Sequence, residues 1–214
     1  MQSETLAPWA EIVPDAPYPL TIDGMFTFAA APEHEHWMYE LVDGRLVRMP
    51  LSGGEASLIG ARLVAALLTF VEDRNLGCVT AADGEYDLTL PGETTETALG
   101  PDVAFVRAER VPAKTSPEYK RAWKLAPDLV AEVASPNQYR PEMAQKAQRY
   151  LSAGVRLVWV IWPKYQQVDV WRPAASGAPT PTQPAQTVTL ANGEALDGDD
   201  VLPGFTYSLQ RLFA

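Results

Sequence analysis

Two acidic residues stand in strand-like segments where packing would favour apolar side chains. Asp102 opens the run Asp-Val-Ala-Phe-Val, and Glu132 lies inside Leu-Val-Ala-Glu-Val. A charge in such a place is costly unless it is paired or binds a cation. Lys146 follows at the edge of the apolar stripe of a predicted helix, so its side chain can lean towards the sheet. Strand-borne carboxylates with an ammonium group nearby make a hard-oxygen site that suits Mg²⁺ or Mn²⁺.

Such a site is suited to phosphodiester hydrolysis. A bound divalent cation lowers the pKa of a coordinated water, and the resulting hydroxide can attack phosphorus. The alternative is purely structural: Asp102 is a turn residue, Glu132 forms a buried ion pair with Lys146, and no metal binds. The residues alone leave both interpretations open.

Other polar residues fit a metal site less well. Asp128 precedes the same strand as Glu132, but four strand residues separate the two by about 13 Å, which is too far to share one ion. His34 and His36, the only histidines, fall in a polar run and are expected in an exposed loop. Asp102 is therefore preferred. Three further acids, which alternate on a predicted hairpin and could line the rim of a cleft, are Asp83, Glu85 and Asp87.

The elements that position these residues follow from local patterns. A nearly continuous apolar strand over 129–133 is followed by a helix with Pro141 at its start and Gly154 as its stop, and then by a strand over 156–162. Such a unit normally gives parallel neighbouring strands. Asp-Gly at 43–44 predicts a tight hairpin turn, and apolar residues from 59 to 71 recur at helical spacing.

The pattern therefore predicts an α/β fold. We expect about eight strands and two helices, arranged as a mixed, strongly bent central sheet with a helix on each side. The first 20 residues hold four prolines and are expected to form an N-terminal arm. A single domain is expected over 21–214, interrupted by a Pro/Ala-rich loop at 173–185.

Composition excludes several classes of protein. The 214 residues are 47% hydrophobic, which excludes wholesale disorder, and the single cysteine, Cys78, excludes a disulfide scaffold or a cysteine-rich zinc module. No window approaches the roughly 18 uninterrupted apolar residues of a membrane span. The start of the chain lacks a basic region followed by an apolar run. We therefore expect a cytoplasmic protein that does not enter membranes.

Charge is distributed unevenly along the chain. The formal net charge is 17 − 27 = −10, yet the segment 107–172 holds 12 basic and 6 acidic residues, a net of +6. This segment could present a basic face to an anionic partner. Solvated side chains that happen to cluster would give the same count. Four tryptophans could stack on bases, but three of them fall in or beside predicted buried strands and are expected in the core or at a subunit interface; the four are Trp123, Trp159, Trp162 and Trp171.

Several ordered motifs together resemble a known family. The matching segments are 39–44, 100–106, 128–136, Lys146, Tyr150, 153–155, 159–161 and 200–205. They look like the Uma family of bacterial putative restriction endonucleases, which is similar to the PD-(D/E)XK nuclease superfamily. The likeness runs in order from about Thr21 to Phe213.

The resemblance implies a restriction-endonuclease-like fold and a Mg²⁺-dependent (or Mn²⁺-dependent) endonuclease acting on DNA. Asp102 and Glu132 would be metal ligands, and Glu40 an added acid that binds or orders the metal through water. Lys146 would stabilise developing charge or orient the attacking water. The commoner superfamily arrangement has the lysine two residues after the acid, where this chain has Ala134. Ala56 stands where relatives of this type often carry a histidine.

The predicted nuclease function also implies binding partners. The DNA backbone would meet a basic stretch, and residues near the site could contribute; the candidates are Lys114, Lys120, Arg121, Lys124, Ser135 and Gln145. Cutting both strands of duplex DNA usually requires two active sites, so a homodimer is expected. Two alternatives are a catalytically inactive interaction protein that keeps the nuclease fold, and an RNA or nucleotide phosphodiesterase that uses the same site.

Overall fold

The computed structural model describes residues 11–14, 16–34, 36–49, 53–82, 84–174 and 185–214. Residues 1–10 of the expected N-terminal arm, residues 175–184 of the expected Pro/Ala-rich loop and Asp83 lie outside the described residues.

The described residues form four helices and thirteen strands. The helices are α1 (Ile22–Ala29), α2 (Gly54–Glu72), α3 (Arg140–Ser152) and α4 (Leu209–Leu212). The strands are β1 (Glu11–Ile12), β2 (Tyr39–Val42), β3 (Arg45–Arg48), β4 (Gly77–Ala81), β5 (Tyr86–Asp87), β6 (Ala98–Leu99), β7 (Val103–Arg107), β8 (Leu129–Val133), β9 (Leu157–Trp162), β10 (Gln167–Arg172), β11 (Gln186–Leu190), β12 (Ala195–Asp197) and β13 (Thr206–Ser208). Short 3₁₀ helices cover Ala108–Arg110, Pro117–Lys120 and Pro163–Tyr165.

A six-stranded mixed sheet forms the centre, in the order β11-β10-β9-β8-β7-β4. Strands β8 and β9 are parallel, with Glu132 opposite Val160, and the other neighbours are antiparallel. The strand, helix and strand predicted over 129–162 therefore exist, and they supply the parallel pair. The α/β class and the mixed sheet predicted from the sequence are confirmed.

Side-chain alternation along the central strands builds two apolar layers. Phe105, Ala131 and Trp159 pack with the buried stripe of α2, whereas Ala104, Val130 and Val158 pack with α3. A helix thus covers each face of the sheet, as expected. Glu132 follows Ala131 and therefore points to the α3 face. Helix α2 is also long and apolar enough to meet the criterion for a membrane span, and its inner stripe packs in the core.

A second, five-stranded sheet in the order β1-β3-β2-β6-β5 lies on the α3 side. Its β2–β3 hairpin turns at Asp43 and Gly44, both with positive φ (50° and 72°), as the Asp-Gly pair predicts. The sequence predicts one large sheet, whereas the described strands form three, the third being the antiparallel pair β12-β13. The second sheet is separate from the central one because the two residues of β6 pair with β2, and the chain then crosses to the central sheet through 100–102.

Gly77 is the glycine whose replacement should be most harmful to the fold. Its φ is +152°, and a Cβ there would stand 2.0 Å from the Val106 carbonyl oxygen. We expect Gly77→Ala to lower the free energy of unfolding by about 2 to 4 kcal/mol, because backbone must shift. Gly60 in α2 is the matched control, since a Cβ there meets nothing within 4 Å. Gly60→Ala should raise the free energy of unfolding by about 0.5 to 1 kcal/mol in the same urea titration. Equal effects of the two substitutions would contradict this account.

Candidate active site

A buried lysine organises the polar cluster between the two sheets. Lys146 projects from the inner face of α3 and its side chain is 1% exposed. Its Nζ lies 2.9 Å from Glu40 Oε1 and 3.0 Å from Glu132 Oε1. Burial lowers the pKa of this ammonium, but the two carboxylates outweigh burial and leave the pKa above its ordinary value. The group is therefore a fixed positive charge.

Glu132 lies in the middle of this cluster on the α3 face of β8. Its Oε1 accepts a hydrogen bond from the Tyr150 hydroxyl at 2.5 Å, besides the contact with Lys146. Burial raises the pKa of Glu132 to about 7; the ammonium of Lys146 opposes this rise, and the nearby Asp102 and Glu40 add to it. Three acids thus crowd one point, which is an arrangement that favours a bound cation.

Asp102 is brought beside Glu132 by strand register. Strands β7 and β8 are antiparallel with Val103 opposite Ala131, so one residue further along, Asp102 faces Glu132. The Asp102 Oδ2 accepts a hydrogen bond from the Val133 backbone N–H at 2.7 Å. Burial raises the pKa of Asp102, and that hydrogen bond and Lys146 oppose the rise. The side chain is therefore held by the strand that carries Glu132.

Glu40 reaches the cluster from the second sheet. It is buried in β2, and its Oε1 accepts from the Gly100 N–H at 3.1 Å as well as from Lys146. Its Oε2 is buried and has no hydrogen-bond partner among the described residues. A buried carboxylate oxygen without a donor is costly, so this oxygen is available to a ligand or a water molecule.

The three acids line one small cavity of about 90 Å³, here called the carboxylate cavity. Its described lining is Met38, Tyr39, Glu40, Met49, Ala56, Ala82, Glu85, Gly100, Asp102, Glu132, Val133, Ser135 and Gln138. Glu85, proposed above as a rim residue, is part of this wall, whereas Asp87 lines a different cavity. Ala56 contributes a methyl group where the resemblance would place a histidine.

The donor chemistry suits one divalent cation held by two carboxylates. Within the described ranges, no group of three or more His, Cys, Asp or Glu residues has a geometry that could hold a metal ion. Mg²⁺ commonly needs only one or two carboxylates, because water and substrate phosphate supply the remaining oxygens. Asp102 and Glu132 provide such a pair, and the unpartnered Glu40 Oε2 can accept from a water in the outer shell.

The basic residues singled out from the sequence are mostly outside this cluster. Lys114, Lys120 and Lys124 are exposed, and Arg121 pairs with Asp23. Ser135 donates from its backbone N–H and its hydroxyl to Gln138 Oε1, at 2.9 and 3.0 Å, and lines the carboxylate cavity; Gln145 is exposed on α3.

Most of the positive charge of the segment 107–172 is neutralised. Every arginine in it contacts a carboxylate: Arg107 and Arg110 contact Asp128, and the other pairs are Arg121–Asp23, Arg140–Asp169, Arg149–Glu93, Arg156–Asp200 and Arg172–Asp199. Four of these acids come from outside the segment. The remaining basic surface is supplied by lysines. Asp128 itself is held by arginines, which agrees with its exclusion as a metal ligand.

Two features of the site were not foreseen. Tyr150 is part of the apolar stripe predicted for α3, yet its hydroxyl fixes Glu132; its position four residues after Lys146 puts both on one helix face. The backbone N–H groups of Gly100 and Val133 hold Glu40 and Asp102. Such backbone contacts depend on long-range strand pairing, which local sequence does not encode.

Comparisons with known proteins identify a family and a shared fold. The family Uma2, described as putative restriction endonuclease, matches residues 26–210. The crystal structure of a putative nuclease belonging to DUF820 from Anabaena variabilis superposes with a TM-score of 0.69, at 23% sequence identity, covering 91% of this chain and 98% of that one. At this identity the likeness concerns the fold. No curated protein matches the sequence.

The raised pKa of Glu132 predicts a pH dependence of stability in metal-free protein. Between its ordinary 4.5 and about 7, the folded chain keeps a proton that the unfolded chain has lost. Raising the pH through this window therefore costs stability, and the cost is constant above it. Relative to Glu132→Gln, the wild-type free energy of unfolding should fall by an amount on the order of a few kcal/mol.

Urea unfolding in a chelating buffer from about pH 4.5 to 8 measures this difference. Glu109→Gln, at an exposed position, makes the same chemical change and should follow the wild-type curve. Parallel curves for wild type and Glu132→Gln would rule out a raised pKa at this residue.

Proposed function

The chain belongs to the Uma2 family, putative restriction endonucleases, and from this premise we propose that it is a metal-dependent endonuclease that hydrolyses phosphodiester bonds in DNA. The observation that carries the proposal is the buried ammonium of Lys146, shared by two glutamates beside Asp102. A purely structural pair would not need a third acid, an unpartnered carboxylate oxygen and an opening at the same point.

In the proposed mechanism, Asp102 and Glu132 hold Mg²⁺ or Mn²⁺. The cation, when bound, supplies charge neutralisation at the phosphate and a lowered pKa for a coordinated water. Val133 N–H fixes the orientation of Asp102, and the Tyr150 hydroxyl fixes Glu132. Glu132, whose pKa burial raises, would be held in its ionised form as a ligand of the cation.

Lys146 and Glu40 act on the phosphate and the water. The ammonium of Lys146 is kept charged by its two carboxylates and stabilises the negative charge that develops on the phosphoryl oxygens. The amine comes from α3, whereas position 134, which has the lysine in the commoner arrangement, is an alanine that lines the second cavity described below. Glu40 Oε2 accepts a hydrogen bond from the attacking water and helps to orient it.

The phosphate backbone would be bound beside this site by exposed lysines. The Trp123 N–H donates to the Glu85 carbonyl, and the Asp87 N–H donates to the Trp123 carbonyl, so this segment runs alongside the strand that follows Glu85. Lys114 and Lys120 precede Trp123 in the sequence, and Lys124 follows it directly. We further propose that the chain forms a homodimer, because two sites are needed to cut both strands. The location that we propose is the cytoplasm.

An inactive interaction protein is the second candidate. The observation that favours it is that Lys146 already contacts Oε1 of each glutamate, which compensates part of their buried charge without a metal. An RNA phosphodiesterase would use the same groups on a different nucleic acid. The experiments below separate these functions.

Purified wild-type protein with Mn²⁺ or Mg²⁺ should nick supercoiled plasmid. Asp102→Asn and Glu132→Gln should lower the rate roughly 100-fold or more, because each removes a charged ligand. Asp73→Asn, at the exposed end of α2, is the matched control and should keep the wild-type rate. Gel analysis of nicked and linear forms gives the rates. Equal cutting by Asp102→Asn would show that the cleavage arises elsewhere, and a preference for RNA would favour the RNA phosphodiesterase.

Metal binding can be measured without any turnover. Calorimetric titration with Mn²⁺ should show a saturable site in wild type that Asp102→Asn weakens about 10-fold or more, since one of two charged ligands is lost. Asp73→Asn should titrate like wild type. Absence of saturable heat in wild type would favour the inactive interaction protein.

The lysine segment predicts a defined salt dependence. Removing one phosphate contact should weaken duplex binding and make the slope of log affinity against log salt shallower by about 1. We expect this for Lys120→Ala and Lys124→Ala, measured by fluorescence anisotropy on duplex DNA. Arg62→Ala, on α2 and bonded to the Leu212 carbonyl, is the control. Unchanged slopes in both lysine variants would remove this segment from the interface.

A further inference from the structure

A second cavity of about 350 Å³ adjoins the carboxylate cavity. Its described lining, which defines the aromatic cavity, is Gly53, Glu55, Ala56, Ala134, Ser135, Pro136, Gln138, Tyr139, Trp162, Pro163, Lys164 and Tyr165. Ala56, Ser135 and Gln138 line both cavities, so the larger space lies directly beside the carboxylates. The volume lies within the range of sites for small organic ligands.

Strand topology explains why the two cavities are neighbours. Strands β8 and β9 are parallel, so their carboxyl ends meet at one edge of the central sheet. The chain after β8 turns through Ser135 and Gln138 to Tyr139, and the chain after β9 turns through Pro163–Tyr165. This edge is the usual place for ligands in sheets with parallel strands. Glu132 lies near the end of the same β8.

Exposed aromatic rings distinguish the aromatic cavity. Tyr139 is 66% exposed and Tyr165 is 53% exposed, which makes them the two most exposed large apolar or aromatic side chains in the described chain. Both line this one space. Exposed aromatic rings beside a nucleic-acid site are typical stacking platforms for bases.

The wall behind these rings is held in place. The Trp162 indole N–H donates to Asp169 Oδ2 at 2.8 Å, and the Arg140 guanidinium, which binds the same carboxylate, lies 5.0 Å from the Trp162 ring centre. Arg140 is also 5.8 Å from the centre of the Tyr165 ring. A wall ordered before binding lowers the entropy cost of holding a flat ligand.

The lining of the aromatic cavity has no net charge, which suits the base, the uncharged part of a nucleotide. Among the described lining residues, Glu55 is the one acid and Lys164 the one base, so the space is neutral overall. Phosphate would be drawn to the neighbouring cation site, whereas a neutral planar base can stack on an exposed tyrosine ring. In a paired duplex the bases are stacked on one another and cannot enter such a space without leaving the helix.

We propose that the aromatic cavity holds one unpaired nucleobase next to the phosphodiester bound at the carboxylates, so that the preferred substrate is single-stranded or locally unpaired DNA. This proposal rests on the proposed nuclease function for the position of the phosphodiester. Tyr139 and Tyr165 bind the base by stacking and take no part in the hydrolysis.

The test is a binding experiment with two single-stranded DNA probes of equal length. One probe carries bases, and the other is abasic throughout, so that only sugar and phosphate remain. Fluorescence anisotropy is measured with Ca²⁺, and gels verify that the probes stay intact. Wild type should prefer the base-containing probe. Tyr165→Ala and Tyr139→Ala should weaken its binding about 5- to 150-fold, the range for one stacked base, and leave the abasic probe unchanged.

Matched variants separate stacking from other effects. Tyr165→Phe keeps the ring and should retain wild-type binding, whereas Phe26→Ala removes a 37% exposed ring on α1 that lines neither cavity and should change nothing. Thermal unfolding confirms that each variant is folded. Equal losses on both probes, or no loss on the base-containing probe, would overturn the proposal.

The two proposals fail in different ways. Base-dependent binding without nicking of any DNA would refute the nuclease function and leave the base cavity standing. Nicking that depends on Asp102, together with tyrosine variants that bind like wild type, would refute the base cavity alone.

Discussion

The burial of one ammonium group constrains the whole site. Lys146 can lie inside the protein only because Glu40 and Glu132 both accept it, and these acids belong to different sheets. Removing either partner would leave an uncompensated charge at a cost of several kcal/mol. The positions of α3, the central sheet and the second sheet are therefore coupled through a single nitrogen atom, and the remaining polar contacts of the site are arranged around it.

Charge balance within this cluster explains how three acids coexist. Asp102, Glu40 and Glu132 repel one another, and burial raises the pKa of both Asp102 and Glu132. One lysine offsets part of that repulsion, while backbone N–H groups and the Tyr150 hydroxyl hold the carboxylates in place. One lysine stands against three acids in this cluster, and this imbalance is the basis for proposing a divalent cation there.

Local sequence patterns predict much of the fold and of the site. The features that they do not predict depend on pairing between residues distant in the sequence. The strand over 129–133, the helix after it and the face of Glu132 follow from periodicity and from Pro141 and Gly154, so they could be predicted. The separation of the second sheet from the central one depends on β6, whose two residues give no periodic signal. The ion pairs of the arginines also involve acids that are distant in the sequence. The sequence alone therefore overstates the positive charge that the segment 107–172 leaves unneutralised.

Supplying the amine from α3 has a spatial consequence at the end of β8. Position 134, where the commoner arrangement has its lysine, is free to carry a single methyl group, and Ala134 forms part of the aromatic cavity wall. A long cationic side chain there would fill that space and add positive charge to it. An amine supplied by the helix thus leaves this edge of the central sheet free of bulk and charge, and the space beside the carboxylate cavity stays open.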